Sequence, residues 1–172
     1  MRLSLTLAAL FFGMTRAEQQ QQPLNVTALT GKKNVSVLEC WQLSTPFVTS
    51  NVSGVVGTHT LELGAASNAT YTILPIRFEG GLHNAPFKQW VWFISGIVQL
   101  SLPNGTDTAL VYGGKYGLVF ADDTKDISGW GHEATYPGDE VIAVSIPTRD
   151  NIAPEHSVLH SGACTIDEQV GI

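Results

Sequence analysis

From Val55 onward the chain is a succession of short segments rich in Val, Ile, Phe, Trp and Thr, cut by Gly, Pro, Asn and Asp at intervals that leave no room for long helices. Such punctuation restricts the fold to β-strands joined by tight turns. The predicted strands are GTHTLEL (57–63), TYTILPIRF (70–78), KQWVWFIS (88–95), IVQLSL (97–102), TALVYG (108–113), GLVFA (117–121), HEATYP (132–137) and EVIAVSIP (140–147). Between two of them, LPNGTD reads as a hairpin turn, because Asn104 and Gly105 tolerate the positive φ that tight turns demand. Strands of this number and length predict an all-β fold, a sandwich or a small barrel.

Alternation places the polar residues. In GTHTLEL, His59 shares a face with Leu61 and Leu63 and is predicted to point inward. In KQWVWFIS, Gln89, Val91 and Phe93 alternate with Trp90, Trp92 and Ile94, so both faces are apolar, as in a central strand covered on two sides. Gln89 then occupies a place expected for an apolar side chain. Trp90 and Trp92 read as core or homodimer-interface residues, and Trp130, between two glycines, as a lid at the mouth of a barrel.

The N-terminus carries Arg2, an apolar run from Leu3 to Met14, and small residues at Thr15 and Ala17. That is the layout of a secretory signal peptide over residues 1–17, and the run is too short for a membrane anchor. Removing it leaves 155 residues, one domain's worth, with 7 basic residues against 15 acidic ones and a formal charge of −8. No basic footprint for nucleic acid exists, and no later segment predicts membrane insertion. Five sequons, at Asn25, Asn34, Asn51, Asn68 and Asn104, and an even cysteine count agree with a secreted or secretory-lumen protein. Cys40 and Cys164 are predicted to form a disulfide, which closes so long a loop that it contributes on the order of 4 kcal/mol; two separate buried thiols are the alternative. Residues 18–37 read as a flexible polar leader, 38–165 as the β-domain, and 166–172 as a C-terminal tail.

The stretches GGLHNAPFKQWVWFISG (80–96) and GLVFADDTKDISGWGHEAT (117–135) resemble the two motifs of the cupins, small jelly-roll barrels whose interior usually holds a metal. His83 matches the first histidine of the first motif, and Gly96 its closing glycine. Ala85 stands in place of the second histidine and Gln89 in place of the glutamate. His132 matches the histidine of the second motif, and Tyr136 stands where an asparagine is usual. HNAPFKQ, DDT and GWGH are similar to the motifs of a subgroup of single-domain cupins. The resemblance covers about Ser53 to Thr148 and implies a cupin-type jelly-roll with a pocket at these residues.

His83, Gln89 and His132 are thereby candidate ligands for a divalent transition metal, Zn²⁺, Fe²⁺, Mn²⁺ or Ni²⁺, with His59 as a candidate fourth. The amide at Gln89 removes a negative charge and weakens such a site, so a metal-free pocket is the alternative. Without metal, the histidines and Gln89 form a set suited to proton transfer. Asp122 and Asp123 fit turn chemistry, or orientation of His132 through its second nitrogen. The function expected is cyclisation or isomerisation of a small organic molecule in secondary metabolism, with His59, His83, Gln89 and His132 as catalytic candidates. A metal-dependent dioxygenase and a non-catalytic extracellular ligand-binding glycoprotein are the alternatives.

Overall fold

The computed structural model describes residues 23–169 apart from Asn104 and Thr106. The signal peptide expected over residues 1–17 and the sequon at Asn104 therefore lie outside the described residues. Thirteen strands and one helical turn follow in order: β1 Asn25–Lys32, β2 Val35–Leu43, β3 Val48–Thr49, β4 His59–Thr60, β5 Thr70–Leu74, β6 Glu79–His83, β7 Gln89–Phe93, β8 Ile97–Ser101, β9 Thr108–Tyr112, β10 Leu118–Ala121, β11 His132–Thr135, β12 Val141–Pro147, β13 His156–Ser161 and α1 Ile166–Gln169. The all-β class expected from the punctuation is what the chain adopts.

Two sheets form a sandwich. One has seven strands in the order β13-β2-β1-β10-β7-β12-β5, the other four in the order β6-β11-β8-β9. The inner faces meet over Leu29, Leu38, Phe93, Val119 and Val141 from the larger sheet and Val98, Leu100, Val111 and Ala134 from the smaller. Each is withdrawn from water, and burial of side chains of this size contributes about 1.5–3 kcal/mol apiece. The outer face of the larger sheet carries a second core of Val26, Ala28, Trp41, Leu43, Trp90 and Phe120, against which Leu61 and Leu63 pack. This explains the apolarity of both faces of β7: Val91 and Phe93 look into the sandwich, whereas Trp90 serves the outer core. Trp92 is half exposed and donates its indole N–H to the Gly114 carbonyl.

The leader expected over 18–37 is corrected over most of its length. Residues 25–32 and 35–37 lie in β1 and β2, and β1 sits mid-sheet, antiparallel to β2 and parallel to β10. Its central five residues, Val26 to Thr30, are buried, because a mid-sheet strand covered on both faces exposes neither Val26 and Ala28 nor Thr27 and Leu29. The tail expected from 166 begins instead with α1. Thr165 and Glu168 cap it reciprocally, with Glu168 Oε2 accepting from Thr165 N over 2.7 Å and Thr165 Oγ1 accepting from Glu168 N over 3.3 Å. Asn25 Nδ2 donates to the Glu168 carbonyl over 2.9 Å and docks this turn onto β1.

The Cys40–Cys164 disulfide is present, with a Cα separation of 4.6 Å across 124 positions of sequence. It fastens β2 to the segment leading into α1. The β8–β9 hairpin also forms as expected, with Ser101 opposite Thr108 and Gly105 at φ 65°.

Candidate functional site

β6 and β11 are antiparallel neighbours in the smaller sheet, and their register sets His83 directly opposite His132. The two imidazoles lie 4.6 Å apart between ring centroids. What brings them together is Gly131. At φ 73° it turns the chain into β11, and a Cβ there would fall 2.0 Å from the His83 carbonyl oxygen. A side chain at this position would push the strands apart, so GWGH needs glycine before its histidine for a steric and a conformational reason.

His132 is only 5 % exposed and Asp123 is fully buried. Asp123 Oδ2 lies 2.8 Å from His132 Nδ1 and 2.7 Å from Ser36 Oγ, and Ser36 Oγ in turn lies 2.7 Å from Ser128 Oγ. Ser128 Oγ also accepts the Gly131 N–H at 3.1 Å. With Asp123 accepting, the hydrogen of neutral His132 sits on Nδ1 and the lone pair on Nε2. Asn84 holds the loop in place, donating through Nδ2 to the carbonyls of Asp123 and Ser128 at 3.0 and 2.8 Å. Asp123 Oδ1 has no hydrogen-bond partner among the described residues. Turn chemistry is therefore the wrong account of Asp123, which orients the histidine. Asp122 is structural: Thr30 Oγ1 donates to its Oδ2 over 2.8 Å, and Lys88 Nζ lies 2.8 Å from its Oδ1.

His83 is exposed, at the rim, with Nδ1 2.8 Å from the Gly81 carbonyl oxygen. A carbonyl only accepts, so Nδ1 carries the hydrogen and Nε2 is the free nitrogen here too. Gln89 is buried and lines the same space. That space is a cavity of about 160 Å³ between the sheets, walled by Leu29, Val91, Phe93, Leu100 and Val119, with His83, Gln89, His132, Tyr136, Thr72 and Ser145 as its polar lining. Ala85, where a second histidine would stand, is also in the lining.

His59 is corrected: it lies exposed on β4, opposite Thr49, and does not line the cavity. Its parity with Leu61 and Leu63 is real, but those leucines pack against the outer core, so the apolar side of this stretch faces away from the cavity. Trp130 is 65 % exposed and likewise outside the cavity lining. Sequence reasoning missed Ser36, and it placed Tyr136 at a motif position without giving it a role. The pairing of Ser36 with Asp123 spans 87 positions of sequence and has no local signal.

Of the sequons, Asn34, Asn51 and Asn68 are exposed, Asn34 in the β1–β2 turn at φ 64°. Asn25 differs from the expectation: it is half-buried in β1, and its amide is committed to Glu168 and Gln42.

No protein-family model and no curated protein matches the chain. Solved structures do. One is a cupin domain from Bordetella pertussis Tohama I, at 16 % identity and a TM-score of 0.32, covering 74 % of this chain and 95 % of that one. Another is a cupin-like protein from Thermotoga maritima MSB8, at 14 % identity and a TM-score of 0.38, covering 83 % and 91 %. Both neighbours are cupin structures.

The motif resemblance implies a metal, and the donors present bear on it. His83 and His132 each have Nδ1 engaged and Nε2 free, which is how a histidine is prepared for a metal, and the Gln89 amide oxygen lines the same cavity. The donors fit, although no carboxylate lines the cavity. Elsewhere among the described residues, Cys40, His160 and Glu168 bring three ligand types within 4.8 Å, but Cys40 has no thiolate to offer because its sulfur is in the disulfide.

Proposed function

We propose that the protein is an isomerase or cyclase of secondary metabolism that moves a proton on a small organic molecule held in the cavity, with His132 as the base. The supporting observation is the buried Asp123–His132 pair at the polar end of an apolar chamber. Oriented by Asp123, His132 Nε2 removes a proton from a carbon next to a carbonyl, and the imidazolium that forms is stabilised by the Asp123 carboxylate. The same Nε2 returns the proton to another carbon of the enolate, so the product is an isomer and no redox partner is needed. Attack of the enolate carbon on a second carbonyl of the same molecule, whose C=O π bond opens as its oxygen takes the proton back from His132, gives cyclisation instead. His83, at the rim, closes the polar end over the substrate, and Gln89 orients it through its amide. Were a divalent metal bound, His83, His132 and Gln89 would hold it, and it would supply Lewis-acid polarisation of the carbonyl oxygen.

We infer that the chain acts in the secretory lumen or outside the cell. The N-terminal layout, the disulfide and the exposed sequons at Asn51 and Asn68 support this.

The test is deuterium incorporation into 2-cyclohexenone in heavy water, followed by proton NMR. The wild type should accelerate exchange at the carbons next to and conjugated with the carbonyl, and His132→Ala should abolish the acceleration. Equal exchange with both proteins overturns the proposal.

A further inference from the structure

On β11 and just beyond it, His132, Ala134 and Tyr136 alternate inward, and all three line the cavity. Their outer two Cα atoms are about 13 Å apart at the ordinary rise of a strand. The methyl of Ala134 between them leaves the space open. An apolar space of about 150 Å³ holds a benzene-sized ring in other proteins, and this cavity of about 160 Å³ matches that scale. Its lining contains no Lys, Arg, Asp or Glu. Lys88, next to Gln89, has its ammonium on Asp122.

Tyr136 is almost fully buried, its ring packs against Phe78 at 5.9 Å, and it is part of the cavity lining. A phenol hydroxyl in such a wall is a donor for an acceptor that enters the cavity. Burial also pushes its pKa up, so at neutral pH it remains a donor.

We infer that Tyr136 is the second polar anchor of the site, and that the cavity takes an uncharged molecule of single-ring size whose carbonyl oxygen accepts from the Tyr136 hydroxyl while the carbon that gives up its proton lies at His132. This rests on the reading of the cavity as the reaction chamber and names its substrate class. A carboxylate or phosphate of the same size is disfavoured, since it would give up water with no Lys or Arg in the lining to meet it.

The experiment titrates the full protein and its Tyr136→Phe variant with 2-cyclohexenone, cyclohexene and 1-cyclohexenecarboxylate. It reads methyl shifts of Val91, Leu100 and Val119 by NMR and the carbonyl stretch of ¹³C-labelled enone by infrared difference spectroscopy. Expected are enone binding with the stretch moved to lower wavenumber, loss of that shift and about tenfold weaker binding in Tyr136→Phe, and unchanged binding of cyclohexene. The carboxylate should bind at least about tenfold more weakly than the enone, for the desolvation reason above. An unshifted stretch in the wild type, or carboxylate binding as tight as the enone's, overturns the inference, and both readings use the wild type alone should Tyr136→Phe fail to fold. The Tyr136-dependent stretch without deuterium exchange upholds this anchor and sinks the proton-transfer reading. Exchange that is indifferent to Tyr136→Phe does the reverse.

Discussion

Asp123 holds His132 by a 2.8 Å contact between Oδ2 and Nδ1, with both residues withdrawn from solvent. The carboxylate can only accept, and that fixes which ring nitrogen faces the cavity. Asp123→Asn places a donor-acceptor amide there and lets the opposite tautomer form. The expected result is at least about a hundredfold slower deuterium exchange with the fold retained. Exchange rate, circular dichroism and the ¹⁵N shifts of the His132 ring check it together.

Gly131→Ala should lower stability by about 3 kcal/mol, since the new Cβ meets the His83 carbonyl oxygen and the φ of 73° disfavours any side chain. For a chain of this length that is a fall in Tm of roughly 6–12 °C. Thermal unfolding measures it, and an unchanged Tm would mean that β6 and β11 do not approach as described.

Cys40→Ser combined with Cys164→Ser should cost about 5 kcal/mol, because the unfolded chain regains the freedom of a loop spanning 124 positions. Denaturant titration of the double variant should show a lower midpoint.

His160 and Glu168 form an exposed pair at 2.9 Å that holds α1. The pKa of His160 is raised, by the Ser161 carbonyl first and Glu168 second, so its contribution is complete below its ordinary value of 6.5 and is lost as pH climbs past the raised one. That of Glu168 is lowered, chiefly by its bonds from Thr165, so its contribution is complete above 4.5 and is lost as pH falls below that value. The turn is therefore held best between about pH 4.5 and 6.5. Amide exchange at Thr165–Gln169, corrected for its intrinsic pH dependence, should show greatest protection in that window and loosen above it.

Gln89→Glu puts a carboxylate beside two imidazoles whose Nε2 atoms are free. Affinity for Zn²⁺ or Mn²⁺ should rise at least about tenfold, and His83→Ala in the same background should cancel the gain. Calorimetric titration of the two variants decides.

Much of this was legible in the sequence where alternation was unbroken. TALVYG and EVIAVSIP became β9 and β12 nearly as written, since each strand has one face against the inner core. β1 was hidden because a mid-sheet strand buries threonines as well as valines, so NVTALTGK shows no apolar run. GTHTLEL was overread: only His59–Thr60 pairs as a strand, while Leu61 and Leu63 pack from irregular chain. At the site, the motif residues His83, Gln89 and His132 converge on one cavity. The Ser36 contact could not be read, because it depends on β1 and β2 being laid beside β10 by long-range pairing.

The position of β1 also bears on how the chain is made. Its parallel partner β10 begins at Leu118, so a growing chain must present β1 and β2 to the lumen or cytosol well before the strand that covers them exists. A hairpin alone is marginal in water, and its waiting edge pairs readily with other chains. The β10-facing edge of β1 therefore stays unpaired until Leu118–Ala121 have been made, and over that interval it is open to wrong strand pairing.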